Sequence, residues 1–315
     1  MKYKHLFGPV PSRRLGTSLG IDLVPYKTCS LDCVYCECGA TTDLTVERRE
    51  FVKTEEVLDE LKHYLSTRPE LDYITFSGAG EPTLHSGIGV ITDFIKENYP
   101  EYKTCLLTNA TLLDDPRVVS ELLNIDLIIP SLDAVLEDDF RKINRPSEKL
   151  DLNRMISGLT DFSAVYRGIL WVEIFVMENL NDSDESLERF SEILNKISPN
   201  KIQLNTLDRP GAVDWVKAPG RKTIDRFVEK LLNIAPIEVV GSFQYSDSSS
   251  FENLPVEEIL TKVENMISRR PCTVKDICFS LSLSEERVHS ALEILQGKNI
   301  CLVSHEERGT FYRLK

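Results

Sequence analysis

The sequence predicts an α/β protein in which short buried strands alternate with amphipathic helices, followed by a small module of helices and a hairpin. Three observations predict it: short, nearly continuous apolar runs, helical apolar stripes between them, and a change of pattern near residues 241–254. Such runs are typical of strands buried on both faces of a parallel sheet. Repeated strand–helix–strand units connect right-handedly into that sheet, and the alternation alone leaves both an open sheet and a barrel as alternatives.

Seven segments have the length and composition of buried strands, and helical patterns lie between them. The strands are predicted at 18–24, 72–77, 103–108, 126–132, 169–176, 201–206 and 237–240. Helices with apolar residues at three- and four-residue spacing are predicted at 54–66, 184–197 and 223–232. The first of these helices has Thr54 at its start and Glu55 and Glu56 in its first turn, as helix amino termini favour.

The segment 241–254 is rich in Ser, Gly and Asp and predicts a linker between a domain at 1–240 and a smaller one at 255–315. Helices are predicted in the smaller domain at 256–267, 273–281 and 284–295. A hairpin with Gly309 at its turn follows them. Three short helices and a hairpin in so short a segment are typical of a winged-helix domain.

The composition is that of a globular protein with an excess of acidic residues. The 315 residues are 42% apolar and 28% charged, and the net charge is −13 with a pI near 5.0. This balance argues against broad non-specific binding to nucleic acid or to anionic membranes, which favour basic surfaces. No signal peptide is visible, and the apolar segment 164–177 is too short and too interrupted to span a bilayer. We therefore expect a cytoplasmic protein that does not bind membranes.

Half of the eight cysteines lie within residues 29–38, in the segment CSLDCVYCEC. Because cytoplasmic thiols are kept reduced, clustered cysteines there are more often metal ligands or redox centres than disulfides. Cys29, Cys33 and Cys36 have the spacing C-x₃-C-x₂-C, which can place three soft thiolates on one face for an iron–sulfur cluster or zinc. Structural zinc takes four ligands, and Cys38 lies closer to Cys36 than a C-x₂-C chelate requires. We interpret Cys38 as an accessory cysteine, with a zinc knuckle as the alternative.

This cysteine spacing, with Tyr35 before the third cysteine, resembles the signature of the radical S-adenosylmethionine (SAM) superfamily. Later motifs extend the resemblance. SGAGEPTL at 77–84 is similar to the superfamily's glycine-glycine-glutamate motif, although an alanine interrupts the glycines. LLTNAT at 106–111 and IIPSLDA at 128–134 end the next two strands, where the superfamily carries a Thr-Asn pair and polar contacts to SAM. The resemblance covers residues 8–240 in order and spacing.

The resemblance implies a fold, two cofactors and a reaction. The fold would be a six-stranded partial (β/α)₆ barrel of the TIM type, with 237–240 as an added strand and the site at the carboxyl ends of the strands. The cofactors would be a [4Fe–4S] cluster with one iron free of protein ligands, and SAM chelated by that iron. One electron would cleave SAM to methionine and a 5′-deoxyadenosyl radical that abstracts hydrogen from a substrate. The reaction would be anaerobic and would need an electron donor such as flavodoxin or ferredoxin.

The same resemblance assigns the site residues. The cluster ligands would be Cys29, Cys33 and Cys36. The candidates for SAM binding are Tyr35, Ser77, Gly78, Gly80, Glu81, Asn109, Ser131 and Asp133, and Asn205 is a further candidate for SAM or substrate. The segment 77–81 could instead be an ordinary strand-to-helix turn, and the polar residues after the later strands could cap the next helices.

Other reactive side chains have plainer interpretations. A solvated surface is expected for most of the arginines that could bind a substrate phosphate or carboxylate, namely Arg13, Arg14, Arg141, Arg145 and Arg209. The two that follow strands and precede a proline, Arg145 and Arg209, are the first to test. His85 is expected to be a helix-start residue. The remaining cysteines fit apolar stripes and are expected in the core: Cys105, Cys272, Cys278 and Cys301.

Within the superfamily the chain resembles the subgroup of the tRNA 4-demethylwyosine synthases and their uncharacterised relatives. Those enzymes carry additional amino-terminal cysteines for a second cluster, whereas no cysteine precedes Cys29 in this sequence. That departure argues against wyosine synthesis itself. The substrate therefore stays open among a modified tRNA, a peptide or protein side chain, and a small metabolite.

The predicted winged helix offers a different class of function, an iron–sulfur regulator that binds nucleic acid or protein without turnover. Its candidate recognition helix holds three glutamates against Arg287, and residues 255–315 contain nine Lys and Arg and nine Asp and Glu. Because DNA affinity depends on cations that face phosphates, a neutral module with a Glu-rich helix makes DNA an unfavoured partner. We expect packing, dimerisation or partner docking instead.

Overall fold

The computed structural model describes residues 3–12, 14–207, 211–240, 255–269, 271–281, 283–296, 300–305 and 309–314. The strands are β1 Leu6–Ser12, β2 Gly16–Ile21, β3 Thr28–Cys29, β4 Asp43–Leu44, β5 Tyr73–Phe76, β6 Lys103–Thr108, β7 Leu127–Pro130, β8 Ile169–Phe175, β9 Lys201–Asn205, β10 Ile237–Val240, β11 Cys272–Thr273, β12 Ile300–His305 and β13 Gly309–Leu314. The helices are α1 Thr54–Leu65, α2 Ile88–Asn98, α3 Pro116–Leu122, α4 Glu137–Ile143, α5 Leu152–Val165, α6 Asp184–Ile197, α7 Arg221–Leu231, α8 Val256–Arg269, α9 Val274–Leu281 and α10 Glu285–Gln296, with a 3₁₀ turn at Pro82–Leu84.

Eight strands form one large sheet in the order β1-β2-β5-β6-β7-β8-β9-β10. All neighbours from β2 to β10 are parallel, and β1 pairs antiparallel with β2 at one edge. The seven predicted strands are confirmed as β2 and β5 to β10, and so is the parallel sheet. The sequence analysis missed β1, because Pro9 and Pro11 in this segment argue against a strand. Proline is tolerated there because the strand lies at the edge of the sheet.

The two faces of the large sheet differ in chemistry. One face buries alternate strand residues such as Ile21, Ile74 and Ile128 in a single core with the apolar sides of the helices. We call the opposite face, which carries Thr75, Glu173 and other polar residues, the inner face. The expectation of strands that are apolar on both faces is therefore wrong for the inner face, which carries these polar residues. A smaller apolar cluster covers part of the inner face: Leu15, Cys105, Leu127 and Ile129.

The helices between the strands pack as their sequences predict, although the residue before α1 is Lys53, which makes no side-chain cap bond, and Thr54 is already helical. The predicted helix 54–66 is confirmed as α1, which buries Val57, Leu61 and Leu65 at four-residue spacing. The other two predicted helices of this domain are confirmed as α6 and α7. Side chains cap α3, α5 and α6 at their amino termini, namely Asp115, Asp151 and Ser183. This framework aligns the carboxyl ends of the parallel strands at one edge of the sheet.

The C-terminal part is a second unit with its own core. Its elements follow the order α8-β11-α9-α10-β12-β13, and its antiparallel sheet has the order β11-β13-β12. The three predicted helices and the hairpin strands are confirmed. Members of its core include Ile259, Val263, Ile267, Ile277, Val288, Leu292 and Leu295. The predicted linker at 241–254 lies outside the described residues. Helices α8 and α9 contact β1 of the large sheet.

Among the described residues, no helix combines the length and the apolar character that crossing a bilayer requires.

Candidate functional site

The cysteine loop follows β2 at the carboxyl edge of the large sheet. Its start is held by the parallel pairing of β3 with β4. The loop then forms two turns. In the first the Cys36 N–H donates to the Cys33 carbonyl at 3.1 Å, and in the second the Gly39 N–H donates to the Cys36 carbonyl at 3.0 Å. Cys29, Cys33, Cys36 and Cys38 are half-buried thiols. The sulfurs of the three predicted ligands lie close enough to influence one another electrostatically.

Each of the three predicted ligands has a side-chain N–H donor beside its sulfur. The pairs are Lys27 Nζ with Cys36 Sγ at 3.0 Å, Asn144 Nδ2 with Cys33 Sγ at 3.4 Å, and Asn109 Nδ2 with Cys29 Sγ at 3.5 Å. Donors of this kind stabilise negative charge on sulfur and orient the ligands of a metal site. The surroundings of these cysteines are therefore polar on the side of the sulfur atoms.

The four thiols of the loop have unequal acidity. Burial raises the pKa of Cys29 to about 12 and raises the pKa of Cys33 as well. A hydrogen bond from the Cys38 thiol, together with the Lys27 ammonium, lowers the pKa of Cys36. The same hydrogen bond raises the pKa of Cys38. Of the four thiols, Cys36 therefore gives up its proton most easily. Because metals bind thiolates, metal binding would release the protons of the other two ligands.

The donor set fits the cluster that the sequence predicts. Three soft sulfurs supply the ligands that iron–sulfur clusters take, and a buried ammonium and two amides lie against them. No three His, Cys, Asp or Glu side chains of the described ranges are gathered closely enough to hold a metal ion. A zinc ion needs every sulfur at about 2.3 Å from one centre.

Gly80, in the turn after β5, lies directly against the base of the cysteine loop. A Cβ at this position would lie 2.1 Å from the Thr28 carbonyl oxygen, so only glycine fits. Two main-chain hydrogen bonds join the turn to the loop: the Lys27 N–H donates to Ala79 and the Glu81 N–H donates to Thr28, both at 3.1 Å. The structure thus brings together the two motifs that the sequence analysis singled out.

Ser77 and Gly78 begin this turn at the carboxyl edge of the sheet. The Ser77 N–H donates to the Ile21 carbonyl at 3.1 Å, which extends the pairing of β5 with β2. Gly78 has a φ of +154°, and a Cβ there would lie 2.2 Å from a carboxylate oxygen of Asp22. Gly78 is exposed and Ser77 is half-buried, so main-chain groups of the turn face outward beside the cysteine loop.

Glu81 is buried and ties the end of β5 to the end of β6. Its Oε1 accepts hydrogen bonds from the Thr83 N–H at 3.1 Å and from the Thr83 and Thr108 hydroxyls at 2.6 Å each. Its Oε2 accepts the Asn109 N–H at 2.7 Å. Burial raises the pKa of Glu81, and these donors oppose the rise. Oε1 accepts three of these bonds and Oε2 accepts one, so Oε2 is the oxygen better able to take a further donor.

Asn109 joins the end of β6 to the cysteine loop. Its Oδ1 accepts the Thr111 N–H and hydroxyl at 3.1 and 2.8 Å, and its Nδ2 donates to the Ser30 hydroxyl at 2.9 Å. The alternative that the polar residues after these strands cap helices is wrong, because Asp115 caps α3 and Leu136, without a side-chain bond, precedes α4.

Asp133 is the junction of four elements beyond β7. Its Oδ1 accepts the Phe175 N–H at 2.9 Å, and its Oδ2 accepts the Tyr35 hydroxyl and the Asn144 amide, the latter at 3.0 Å. Tyr35 also stacks on the Phe175 ring, with the centroids 3.9 Å apart. Burial raises the pKa of Asp133 against the effect of these donors. Asp133 therefore positions Tyr35 and the amide that meets Cys33.

Ser131 differs from its neighbours in the predicted set. Its N–H donates to the Thr108 carbonyl at 2.9 Å, which continues the pairing of β6 with β7. Its hydroxyl has no hydrogen-bond partner in the part of the chain that the structure describes, and the residue is half-buried. Asn205, the further candidate, ends β9 and uses its Oδ1 for the Thr206 N–H at 2.9 Å.

The expectation of a solvated surface is wrong for Arg14. Its side chain is 18% exposed and reaches the inner face, where it pairs with Glu173 and lies 3.4 Å from the Gln203 amide oxygen. Arg145 is 41% exposed and lies 3.7 Å from Asp32. The side chain of Arg141 pairs along its helix. Arg13 and Arg209 lie outside the described residues.

The remaining histidine and cysteine expectations are structural. His85 ends the 3₁₀ turn rather than starting a helix; it is fully buried between the Val52 carbonyl at 2.8 Å and the Gly87 N–H at 2.9 Å. Cys105 and Cys272 are fully buried in apolar clusters, and Cys278 is half-buried against the same core, which confirms those three expectations. The side chain of Cys301 is outside the described residues.

Sequence reasoning missed Lys27 and Asn144. Lys27 has a weak signal, a lysine two residues before the first cysteine of the motif. Asn144 ends α4, far along the chain, and only the fold brings it to Cys33. A third contact comes from the C-terminal unit: Arg313 on β13 donates to the Cys38 carbonyl at 3.3 Å and to the Tyr26 hydroxyl.

Comparison with known proteins adds a family. Residues 23–190 match the family described as the Radical SAM superfamily. The chain is 31% identical over 314 residues to the UPF0026 protein MJ1312 of Methanocaldococcus jannaschii, across 98% of this chain and 95% of that protein. It is 36% identical over 296 residues to a protein named GTPase Obg of Brachyspira hyodysenteriae, across 94% of this chain but 43% of that protein. The chain therefore spans less than half the length of that relative.

More distant relatives extend the same comparison. The S-adenosyl-L-methionine-dependent tRNA 4-demethylwyosine synthase TYW1 of Mus musculus is 22% identical over 271 residues, which is 78% of this chain and 36% of that protein. A radical SAM methyltransferase from Sphaerobacter thermophilus superposes with a TM-score of 0.55 at 18% identity, over 72% of this chain and 67% of that one. A structure of TYW1 with a lysine-pyruvate adduct bound gives 0.52 at 16% identity, over 75% and 78%. These structures share the fold.

Proposed function

Because the chain belongs to the radical SAM superfamily, whose cofactors are a [4Fe–4S] cluster and SAM, we propose that the cysteine loop and the strand ends around it form its active site. One observation carries the proposal: three cysteines of the C-x₃-C-x₂-C motif each meet an N–H donor, on a loop hydrogen-bonded to the glycine-rich turn. When bound, the cluster supplies an electron that splits SAM into methionine and a 5′-deoxyadenosyl radical, which takes a hydrogen atom from the substrate.

We assign Cys29, Cys33 and Cys36 as the three cluster ligands. Cys38 is left out of the set because its thiol bonds to Cys36 and its carbonyl is held by Arg313. Three protein ligands on four irons leave one iron available to SAM. The polar donors hold the ligands in place, and burial of the loop against the sheet limits the access of water.

The proposed SAM contacts fall into two groups. Ser77, Gly78 and Gly80 offer main-chain groups, Ser131 offers an uncommitted hydroxyl, and Glu81 Oε2 can accept the amino group of the methionine moiety. The second group would not bind SAM directly, because its side chains are already hydrogen-bonded within the protein. Its members are Tyr35, Asn109 and Asp133. In this arrangement the second group positions the cluster and the turn.

The fold that we propose around this site is a partial barrel of the radical SAM type at 1–240. Six parallel strands, β2 and β5 to β9, form its wall, β10 is added, and the inner face supplies space for a substrate next to the strand ends. We propose that 241–254 links it to a winged-helix domain at 255–315, which the element order and the β11-β13-β12 sheet support. The Arg313 contact favours a packing role for that domain.

The substrate class is a separate question. A modified tRNA base is one candidate. The similarity to a tRNA 4-demethylwyosine synthase favours it. A peptide or protein side chain and a small metabolite are the other classes. An external reductant, flavodoxin or ferredoxin, would supply the electron.

The test is anaerobic incubation of the reconstituted protein with SAM and dithionite, with 5′-deoxyadenosine and methionine measured by mass spectrometry. We expect both products from the wild-type chain and neither from Cys33→Ala. Cys272→Ala, a cysteine of the C-terminal core, is the matched control and should retain both. Absence of 5′-deoxyadenosine from a wild-type protein that carries a full cluster would contradict the proposal. Adding fractions of a deuterium-grown cell extract, total tRNA included, then identifies the substrate by deuterium in the 5′-deoxyadenosine.

A further inference from the structure

Lys27 is a buried cation beside the cysteine loop. The residue is 3% exposed, and its Nζ lies 3.0 Å from Cys36 Sγ. Over the described residues, no carboxylate lies within ion-pair distance of this ammonium, and the charges that affect it are those of the cysteines. Burying an ammonium without a counter-charge is strongly unfavourable. The site around Lys27 therefore calls for a negative group at the sulfurs.

The backbone fixes Lys27 in a conformation that lysine does not favour. Its φ is +59°, a left-handed conformation in which Gly or Asn is usual. Its N–H donates to Ala79, and its carbonyl accepts the N–H groups of Thr42 and Asp43, each at 3.1 Å. The turn after β5 and the return of the cysteine loop thus hold the residue from both sides.

We propose that Lys27 is the counter-charge of the bound cluster and raises its reduction potential. The inference rests on the proposed function. Reduction adds one negative charge to a cluster already held by thiolates, and a fixed cation nearby stabilises the reduced state more than the oxidised one. Lys27 acts through the cluster and not on the substrate, so it is a positioning residue of the electron-transfer step.

The other two donors serve as an internal comparison. Asn109 and Asn144 bring neutral amides to their sulfurs, whereas Lys27 brings a full charge. Lys27 Nζ lies 3.0 Å from Cys36 Sγ, so its charge acts on that ligand at short range. Removing this charge should change the potential more than removing either amide.

The test is a redox titration of the reconstituted protein, followed by the EPR signal of the reduced cluster. Lys27→Gln keeps a hydrogen-bond donor but loses the charge, and Lys27→Arg keeps the charge. The control Lys103→Gln removes an exposed charge at the opposite end of β6. At a fixed potential we expect Lys27→Gln to lower the ratio of reduced to oxidised cluster at least tenfold, which is about 59 mV for one electron. Lys27→Arg and Lys103→Gln should each stay within threefold of wild type.

The possible outcomes separate this inference from the proposed function. A wild-type chain without a tetranuclear cluster would remove the proposed function itself. A wild-type cluster whose potential is unchanged in Lys27→Gln would overturn the inference alone, as would weaker SAM binding without any change of potential. If Lys27→Gln assembles no cluster, Lys27→Arg decides: assembly in the arginine variant supports the counter-charge, and loss in both variants contradicts it.

Discussion

Cysteine has two different environments in the two parts of this molecule. In the cysteine loop each predicted ligand is half-buried and meets an ammonium or an amide. In the C-terminal unit Cys272 is fully buried among aliphatic side chains such as Ile277 and Val288. The residue type is the same, and what differs is the depth of burial and the share of aliphatic side chains around it. Polar donors indicate a sulfur that carries charge, whereas apolar neighbours indicate a small core residue.

The largest expected effect is the loss of iron when a predicted cluster ligand is replaced. Cys33→Ala should reduce the iron content after anaerobic reconstitution from about four atoms per chain, which a single tetranuclear cluster requires, to near zero. Cys272→Ala should leave it unchanged. Iron and acid-labile sulfide are measured on both proteins. Equal iron in the two variants would mean that the distinction between the two environments is wrong.

The next effect concerns the turn that the cysteine loop packs against. Glu81→Ala removes the acceptor of four hydrogen bonds, two of which join the ends of β5 and β6. A hydrogen bond to a charged group contributes about 1.5–3 kcal/mol, so we expect SAM cleavage to fall about 100-fold. The rate of 5′-deoxyadenosine formation measures it, and the exposed Glu70→Gln is the control. A Glu81→Ala enzyme with the wild-type rate would argue against this turn as part of the site.

A substitution in the C-terminal core sharpens the other side of the comparison. Cys272→Ser places a hydroxyl in an apolar core, and we expect it to lower the free energy of unfolding of that unit by about 1–3 kcal/mol. Cys38→Ser, in the half-buried loop, should change stability by less than about 0.5 kcal/mol. Urea unfolding followed by circular dichroism compares them. A larger loss for Cys38→Ser than for Cys272→Ser would reverse the assignment.

The contact between the two regions predicts a smaller effect. Arg313→Gln loosens the bond from β13 to the Cys38 carbonyl. Since one such hydrogen bond contributes about 0.5–1.5 kcal/mol, iron should be lost to a chelator about two- to tenfold faster. Lys275→Gln, an exposed residue of the same unit, serves as the control and should keep the wild-type rate. Identical rates in all three proteins would show that the C-terminal unit does not steady the loop.

The smallest effect is a dependence of stability on pH in the larger domain. Burial lowers the pKa of His85, so the unfolded chain binds a proton at a higher pH than the folded chain does. The contribution of His85 to stability is then complete above its ordinary value near 6.5 and is lost as the pH falls toward the folded value. Thermal unfolding between pH 7.5 and 5.5 measures this, and His85→Gln should show a weaker decline. An unchanged decline would assign it to other groups.

Much of this molecule could be predicted from local sequence, because the signals involved are local. The seven parallel strands, the helices α1, α6 and α7 and the C-terminal helices follow from runs and stripes of apolar residues. The cysteine motif and its resemblance identified the superfamily. The strand β1 escaped because its prolines hide an edge strand.

What escaped in the site depends on contacts between distant segments. Asn144 contacts Cys33, and Arg14 pairs with Glu173, only in the folded sheet. No spacing along the sequence predicts either contact. Lys27 is nearby in sequence, but its burial follows from the turn at Gly80 and the return of the loop. For the same reason Asp133, predicted as a SAM contact, has its side chain committed to Tyr35, Asn144 and Phe175.

The most direct measurement is the EPR spectrum of the reduced, reconstituted protein with and without SAM, together with its iron content. With three cysteine ligands and one open iron, we predict about four irons per chain and a spectrum that changes when SAM is added. One bound zinc without iron would contradict the account. So would a cluster whose EPR spectrum changes on addition of SAM only after Cys38 is replaced.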